Sequence, residues 1–449
     1  MRFFLDKKGL CLLLLLVIAL VVRLWRLEFP AHLLFDETYH IPAARLIANN
    51  DPRAYEWWHQ PIYEDYHDWL HPPAAKLMQA GAICLLGDSP LAWRLPSTLA
   101  AVLLIAAVYV LAQQVFSVLH TSDKTNSLSC LAAFLTSLSG LVLVQSRIGM
   151  NDIFLVLWLV LGLVFLYRWQ PSLIKFNFDL NKQQKHSGSV FNFILAGLFL
   201  GLALATKWTA LFLIGFLLIE LCWLIVENKI WKFLPITLFS LVIVPLVVYL
   251  ASYSQMFMQG KSLSHFVDLH HNILWYQFNR SEGHDYASTP AEWLINLRPV
   301  LYWSGQQSES LSLSPSKTAN IYALENPVLI LISLFALLYI LGLIIKDNFQ
   351  TNHSKVYLNL VMMYGMLWLP WLAAPRVMFF YHYLPAIPLL SLLVAEFLYS
   401  YLRPVSKLIY WLILILLTAG FIIFYPHWTG LTVSNDWAQA VYFALPSWQ

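Results

Sequence analysis

Charge is what this chain has least of. Lys, Arg, Asp and Glu make up 11% of its 449 residues, against about a quarter in a soluble domain, which excludes a soluble enzyme of ordinary composition. The net charge of +3 is too small to mark nucleic acid as a partner. Cysteine is scarce: Cys11, Cys84, Cys130 and Cys222 lie in apolar segments at unrelated spacings. They read as core or lipid-facing thiols, not as a disulfide framework or metal site. The chain has no Walker or dinucleotide glycine pattern, no internal repeat and no low-complexity tract, so the P-loop, Rossmann and solenoid classes drop out. Hydrophobic residues, at 59%, are what remains, and they predict an all-α polytopic membrane protein in a lipid bilayer.

Apolar stretches of spanning length fall near residues 10–27, 94–118, 128–146, 153–169, 191–206, 209–226, 234–251, 327–345, 357–374, 378–401 and 407–425. Each approaches the roughly 20 residues that cross a bilayer, which predicts about eleven spans. The first run is long and carries Arg23 and Arg26 where a cleavage site would fall, so it reads as a retained helix. Basic residues at Lys7/Lys8, Lys124, Arg168/Lys175/Lys182/Lys185, Lys229/Lys232, Lys346/Lys355 and Arg403/Lys407 all fall on the N-terminal side, which the positive-inside rule assigns to the cytoplasm. The other side holds a first outer loop over 28–93, a long loop over 252–326 and a tail over 426–449, all within one domain over 1–449. Ala74–Leu86 is apolar but reaches only about 20 Å as a helix. It and Glu37–Ala48 are therefore expected as interfacial or re-entrant helices in the first outer loop.

The outer side carries the chemistry-bearing residues. Asp36-Glu37 follows the first span, where two adjacent carboxylates are costly to desolvate; they read either as an N-cap with its first-turn acid or as a catalytic pair. His71-Pro72-Pro73 precedes Lys76, and prolines suit a helix's first turn. Lys76 near that N-terminus is either a phosphate ligand or a snorkelling anchor. Arg94, Arg147 and Arg376 sit at outer span ends, where with Lys76 and Lys207 they suit a phosphate; Arg147 with Asp152 equally suits a structural ion pair. Outer histidines are numerous, yet none has zinc-ligand spacing, because Pro72 puts the helix start after His67 and His71. No metal is expected at these residues, with a divalent ion as the alternative. The aromatics of 252–326, Trp275, Tyr276, Trp293, Tyr302, Trp303 and Tyr322, suit either sugar contacts or a membrane-surface belt.

In this order the motifs resemble the protein O-mannosyltransferase family, glycosyltransferases of the GT-C type. The resemblance rests on Asp36-Glu37, on His71-Pro72-Pro73 with Lys76, and on Gln145-Ser146-Arg147 before Asp152. Ala205-Thr206-Lys207-Trp208 and Tyr381-His382-Tyr383-Leu384-Pro385 complete it. It runs from about residue 15 to 425. The eukaryotic sugar-binding β-trefoil is missing from 252–326, which makes the chain similar to bacterial members in the inner membrane. Related enzymes that transfer aminoarabinose to lipid A share the early Asp-Glu and a Pro-Pro segment, so a lipid or glycan acceptor stays open.

The resemblance implies a GT-C-like bundle. It also implies a hexosyltransferase using a polyprenyl-phosphate sugar, with mannose expected as the sugar and a protein or glycolipid as acceptor. No cofactor is required. Asp36 or Glu37 would serve as base, Lys76, Arg94, Arg147 and Arg376 would hold the donor phosphate, and His71, Asp152, Lys207, His382 and Tyr383 would complete the site. A single displacement with inversion, on the extracytoplasmic side, follows. The reading from another class is a lipid-linked sugar transporter, which calls for charges within the spans. Beyond the first span only Glu220 and Glu396 lie there, near the cytoplasmic end.

Overall fold

In the computed structural model the described residues are 7–58, 67–176, 189–279, 283–307 and 313–448; Lys182 and Lys185 lie outside them. The chain is a multi-pass helical membrane protein. In chain order the main helices are α1 Lys7–Leu24, α2 Glu37–Ala48, α3 Ala74–Leu86, α4 Pro90–Ser117, α5 Ser122–Ser137, α6 Gly140–Gln145, α7 Asp152–Trp169 and α8 Val190–Leu204. They continue with α9 Ala210–Glu227, α10 Trp231–Ser252, α11 Leu263–Asn279, α12 Pro327–Lys346, α13 Asn352–Ala373, α14 Phe380–Val405 and α15 Lys407–Thr429.

Eight of these, α4, α7, α9, α10 and α12 to α15, are long and apolar enough to cross a membrane among the described residues. The expected count of about eleven is not confirmed among the described residues. There, the part of α1 over Gly9–Leu24 and the helix Val190–Leu204 fall under that length. The run 128–146 is not one helix: it breaks at Leu138-Ser139 into α5 and α6. Ser139 caps α6 by accepting from the Val142 N–H at 3.1 Å. The Glu325 carboxylate accepts from the Ser139 hydroxyl at 2.6 Å and the Gly140 N–H at 2.8 Å. A methyl on Gly140 would meet the Leu324 carbonyl at 2.3 Å. The end of the long loop is thus wedged into the break. Ser137-Leu138-Ser139-Gly140, two cap residues and a glycine inside an apolar run, is the signal for it.

α2 and α3 keep the bounds expected for the interfacial helices. α2 buries Glu37, His40, Ile41, Ala44 and Ile47 on one face, while α3 starts where the Ala74 N–H bonds the Ala205 carbonyl at 2.9 Å and exposes Leu85 and Leu86 at its other end. α4, α5, α7 and α14 form the buried centre, with α10, α12 and α15 outermost. Gly197 and Gly201, one turn apart on α8, lie against Ser240 and Pro245 of α10 with no room for a side chain. This is the small-residue contact that lets membrane helices approach closely.

The long loop is not purely helical, a departure from the all-α expectation. Strand β1 Val300–Ser304 pairs antiparallel with β2 Asn320–Ala323, Val300 opposite Ala323, with an irregularity between Leu301 and Trp303. A second, two-residue pairing joins Lys317–Thr318 to Val433–Ser434. The β-branched and aromatic run Val300-Leu301-Tyr302-Trp303 favours a strand, and α11 precedes it.

Candidate active site

A cavity of about 690 Å³ opens at one end of the bundle. It is walled by six separate stretches: 35–40, 67–71, 150–152, Lys207, Tyr276 with Gly283 and His284, and 376–382. All six belong to the side that the basic loops assign as outer. They also bring together Asp36, His71, Asp152, Lys207, Arg376 and His382.

Asp36 occupies the N-cap position of α2 without acting as a cap: its side chain makes no capping bond. It is half-buried and faces the cavity, with Tyr381 against its carboxylate. The preceding Phe35 holds a left-handed backbone at φ 44°, costly for a bulky residue. Its ring is stacked on Tyr302 at 4.2 Å, and the Tyr302 hydroxyl accepts from the Gln145 amide at 2.7 Å. Burial pushes the Asp36 carboxyl above the ordinary aspartate range; the His40 and Lys207 charges oppose this, and Asp152 and Asp68 add to it. A carboxylate poised upward, in a cavity, is what a general base requires.

Glu37 points the other way. It is fully buried and accepts from Arg94 Nε and Nη2, both at 2.8 Å, from the Leu34 N–H at 3.0 Å and from the Gly149 N–H at 2.7 Å. The remaining Arg94 donors go to the carbonyls of Leu27, Pro30 and His32. All five guanidinium N–H groups are therefore used, and neither residue lines the cavity.

The other cations divide similarly. Arg147 donates to the carbonyls of Arg23, Trp25 and Arg26 at 2.6, 2.9 and 3.2 Å, closing the C-terminal end of α1. The ion pair considered between Arg147 and Asp152 does not form; the partner of Asp152 is Lys207, at 2.8 Å. Lys76 is buried behind the cavity wall, bonding the carbonyls of Asp68 and His71 and lying 3.2 Å from Asp68 Oδ2. Arg376 does line the cavity; its side-chain partner there is Gln277. Lys207 lies 5.5 Å over the Tyr381 ring. His382 lines the wall between Tyr381 and Trp371, whereas Tyr383 is buried away from it, bonded to the Tyr364 hydroxyl at 2.6 Å.

Two residues beside Asp36 escaped the sequence reading. His40, one turn after Asp36 on the same face of α2, has Nδ1 2.9 Å from Asp68 Oδ2; His71 Nδ1 is 3.0 Å from Asp68 Oδ1. Asp68 also accepts from the Leu70 and His71 N–H groups. Burial raises the Asp68 carboxyl, but His71, Lys76 and His40 outweigh it and hold it well below the ordinary range. The signal was there in Asp68 two residues before Leu70, the Asx-turn spacing, with His71 next in the chain.

A polytopic bundle with a cavity that gathers carboxylates and cations from several outer-side segments suits a membrane glycosyltransferase, and comparison with known proteins gives the family. Residues 64–259 match the family profile described as dolichyl-phosphate-mannose-protein mannosyltransferase, and residues 262–448 the C-terminal four-transmembrane region of protein-O-mannosyltransferase. The chain belongs to the protein O-mannosyltransferase family. It is similar to the polyprenol-phosphate-mannose–protein mannosyltransferase of Corynebacterium glutamicum, 26% identical over 418 residues, covering 80% of this chain and 76% of that protein. It is also similar to the protein of the same name from Mycolicibacterium smegmatis, 24% identical over 477 residues, covering 93% and 87%. Among solved structures, the S. cerevisiae protein O-mannosyltransferase Pmt1-Pmt2 complex bound to the sugar donor aligns with a TM-score of 0.77 at 14% identity, over 97% of this chain and 92% of that one. ArnT from Cupriavidus metallidurans bound to undecaprenyl phosphate gives 0.59 at 16% identity, over 92% and 64%. At these identities the two structures speak to the fold, which is GT-C-like.

Proposed function

We propose that the chain transfers mannose from a polyprenyl-phosphate carrier to a Ser or Thr hydroxyl of a protein, with inversion, and that Asp36 is the base. Mannosyl transfer from the lipid phosphate to protein follows from the family and its bacterial relatives. The observation that carries the catalytic assignment is the uncapped Asp36 carboxylate facing the cavity. In the reaction the acceptor oxygen bonds the anomeric carbon as the bond from that carbon to the phosphate oxygen breaks. The hydroxyl proton passes to Asp36, and the electron pair leaves with the lipid phosphate. Among the cations named in the sequence reading, Arg376 is best placed to stabilise that charge, because Arg94, Arg147 and Lys76 spend their donors on the fold; Lys207, shared with Asp152, supports it.

The cavity's composition from outer segments supports an extracytoplasmic site. Reporters placed after Gln184 and near Ser308, both outside the described residues, should then read opposite sides of the membrane, and the same side for both would overturn it. A transporter calls for charges within its spans, and beyond the first span the two that lie there are both hydrogen-bonded within the bundle. Here Glu220 is bonded by Asn359 at 3.1 Å, and Glu396 by Tyr357 at 2.9 Å and His120 at 3.0 Å.

The decisive assay is purified protein with labelled polyprenyl-phosphate mannose and a Ser/Thr-rich peptide, with a glycolipid as the competing acceptor. Label in the peptide, lost in Asp36→Asn, is expected. Label only in the glycolipid would replace the acceptor, and none in either would overturn the reading.

A further inference from the structure

His40, Asp68 and His71 are the one group of three His, Cys, Asp or Glu side chains, among the described residues, whose ligand atoms lie within 4.8 Å of one another. They come from two elements, α2 and the loop before α3, and share one wall of the cavity. One imidazole Nδ1 meets each oxygen of Asp68, at 2.9 and 3.0 Å. Ligands about 2.0–2.1 Å from a tetrahedral zinc ion sit roughly 3.3 Å apart, so these separations need little change to admit an ion. We propose that this trio binds a divalent transition cation of the zinc class, with the cavity side left open.

The ligand set supports that class. Two imidazoles and one carboxylate suit Zn²⁺ and its first-row neighbours, whereas Mg²⁺ and Ca²⁺ ask for oxygen. Three protein ligands with an open side are the pattern of an exchangeable site rather than a closed structural one. Lys207 also lines this cavity, where it is paired with Asp152. Asn151 Nδ2 is 3.4 Å from His40 Nδ1. The Leu70 and His71 N–H groups fix the Asp68 carboxylate. The Lys76 ammonium, 3.2 Å from Asp68 Oδ2, also ties the carbonyls of Asp68 and His71. Lys76 thus holds the ligand loop in shape while its charge opposes the ion, so the site is weak. Asp36, one turn before His40, adds a compensating negative charge.

The test needs neither donor nor acceptor, so its outcome is separate from that of the transfer assay. Full-length protein in detergent is stripped with EDTA, then titrated with Zn²⁺ by calorimetry and with Co²⁺ by visible absorption. One equivalent should bind, with a Co²⁺ spectrum shifted from that of the aquo ion. The His40→Gln/His71→Gln variant should bind at least about tenfold more weakly, the loss typical even for outer-sphere changes. An aquo-ion spectrum and no Zn²⁺ heat in the parent protein would overturn the proposal. So would undiminished binding in the double variant. Should that variant not fold, the parent spectrum and the single His71→Gln variant decide, weakened binding supporting the site and undiminished binding overturning it.

Discussion

Asp36 and Glu37 are neighbours in sequence with opposite employment. The Glu37 oxygens accept four protein donors and lie fully buried against Arg94, while the Asp36 carboxylate faces the cavity beside Tyr381. Successive residues on a helix point about 100° apart, so the pair serves two sides of the wall at once.

The two therefore separate on mutation. Asp36→Asn should lower turnover by roughly 10²–10⁴, the loss expected for a general base, with an unchanged melting temperature. Glu37→Ala should instead leave Arg94 buried and unpaired, a cost of about 3–5 kcal/mol, seen as a lowered melting temperature or failed folding. Turnover and thermal melts on the same preparations decide; full turnover in Asp36→Asn removes it from the mechanism.

The arginines divide likewise. Arg376→Ala should weaken a non-transferable donor analogue by roughly tenfold or more, since a charge-assisted hydrogen bond is worth about 1.5–3 kcal/mol. Arg147→Ala should lower stability and leave the affinity of the folded fraction intact, because its donors close α1. Intact analogue affinity in Arg376→Ala would move the phosphate elsewhere.

The pH profile carries the sign of the Asp36 shift. A base acts when deprotonated, and burial raises this carboxyl. The acid limb of kcat/KM should therefore lie above the value near 3.9 of a free aspartate, with activity rising as pH increases through it. A limb at or below the free value would show that another group titrates.

Glu325 gives a stability signature. Burial lifts its carboxyl from 4.5 to about 7, against the pull of Ser139 and the N–H groups of Asn326, Gly140 and Leu141. The folded state then holds a proton that the unfolded chain releases. This contribution is full below about pH 4.5 and lost as pH rises to about 7, on the order of 3 kcal/mol. Melting temperatures between pH 5 and 8 should fall more steeply for the parent than for Glu325→Gln. Parallel curves would contradict it.

Much of this site could be read from residue order alone. Asp36, His71, Asp152, Lys207, Arg376 and His382, scattered over almost 350 positions, do converge on one cavity. α2 and α3 were legible because their apolar spacing is helical and too short to cross a bilayer. What stayed hidden was direction. Arg94 and Arg147 carry the residue type a phosphate needs, yet nothing in a linear sequence shows that backbone carbonyls of the first loop and of α1 already occupy their donors. Asp152 stood near Arg147 in sequence and took a partner 55 residues away. The break at Ser139 was masked by the apolar residues around it, because hydropathy averages over a capping serine and a glycine.

The cavity is lined by three carboxylates, Asp36, Asp68 and Asp152, and two cations, Lys207 and Arg376, and a third cation, Lys76, is paired with Asp68 from behind the wall, which brings the six to neutrality. A phosphodiester donor enters such a neutral chamber with one negative charge. In the proposed transfer the phosphate gains a second charge while Asp36 gains a proton, so the chamber's total is the same before and after the bond changes hands. The field that the surrounding low-dielectric helices must support does not grow during the chemistry. The imbalance comes at the exit, where the spent carrier leaves as a dianion and the proton on Asp36 has to follow. In the proposed transfer, turnover is linked to proton release at the cavity's mouth, and that link would show as a buffer-dependent step after glycosidic bond formation.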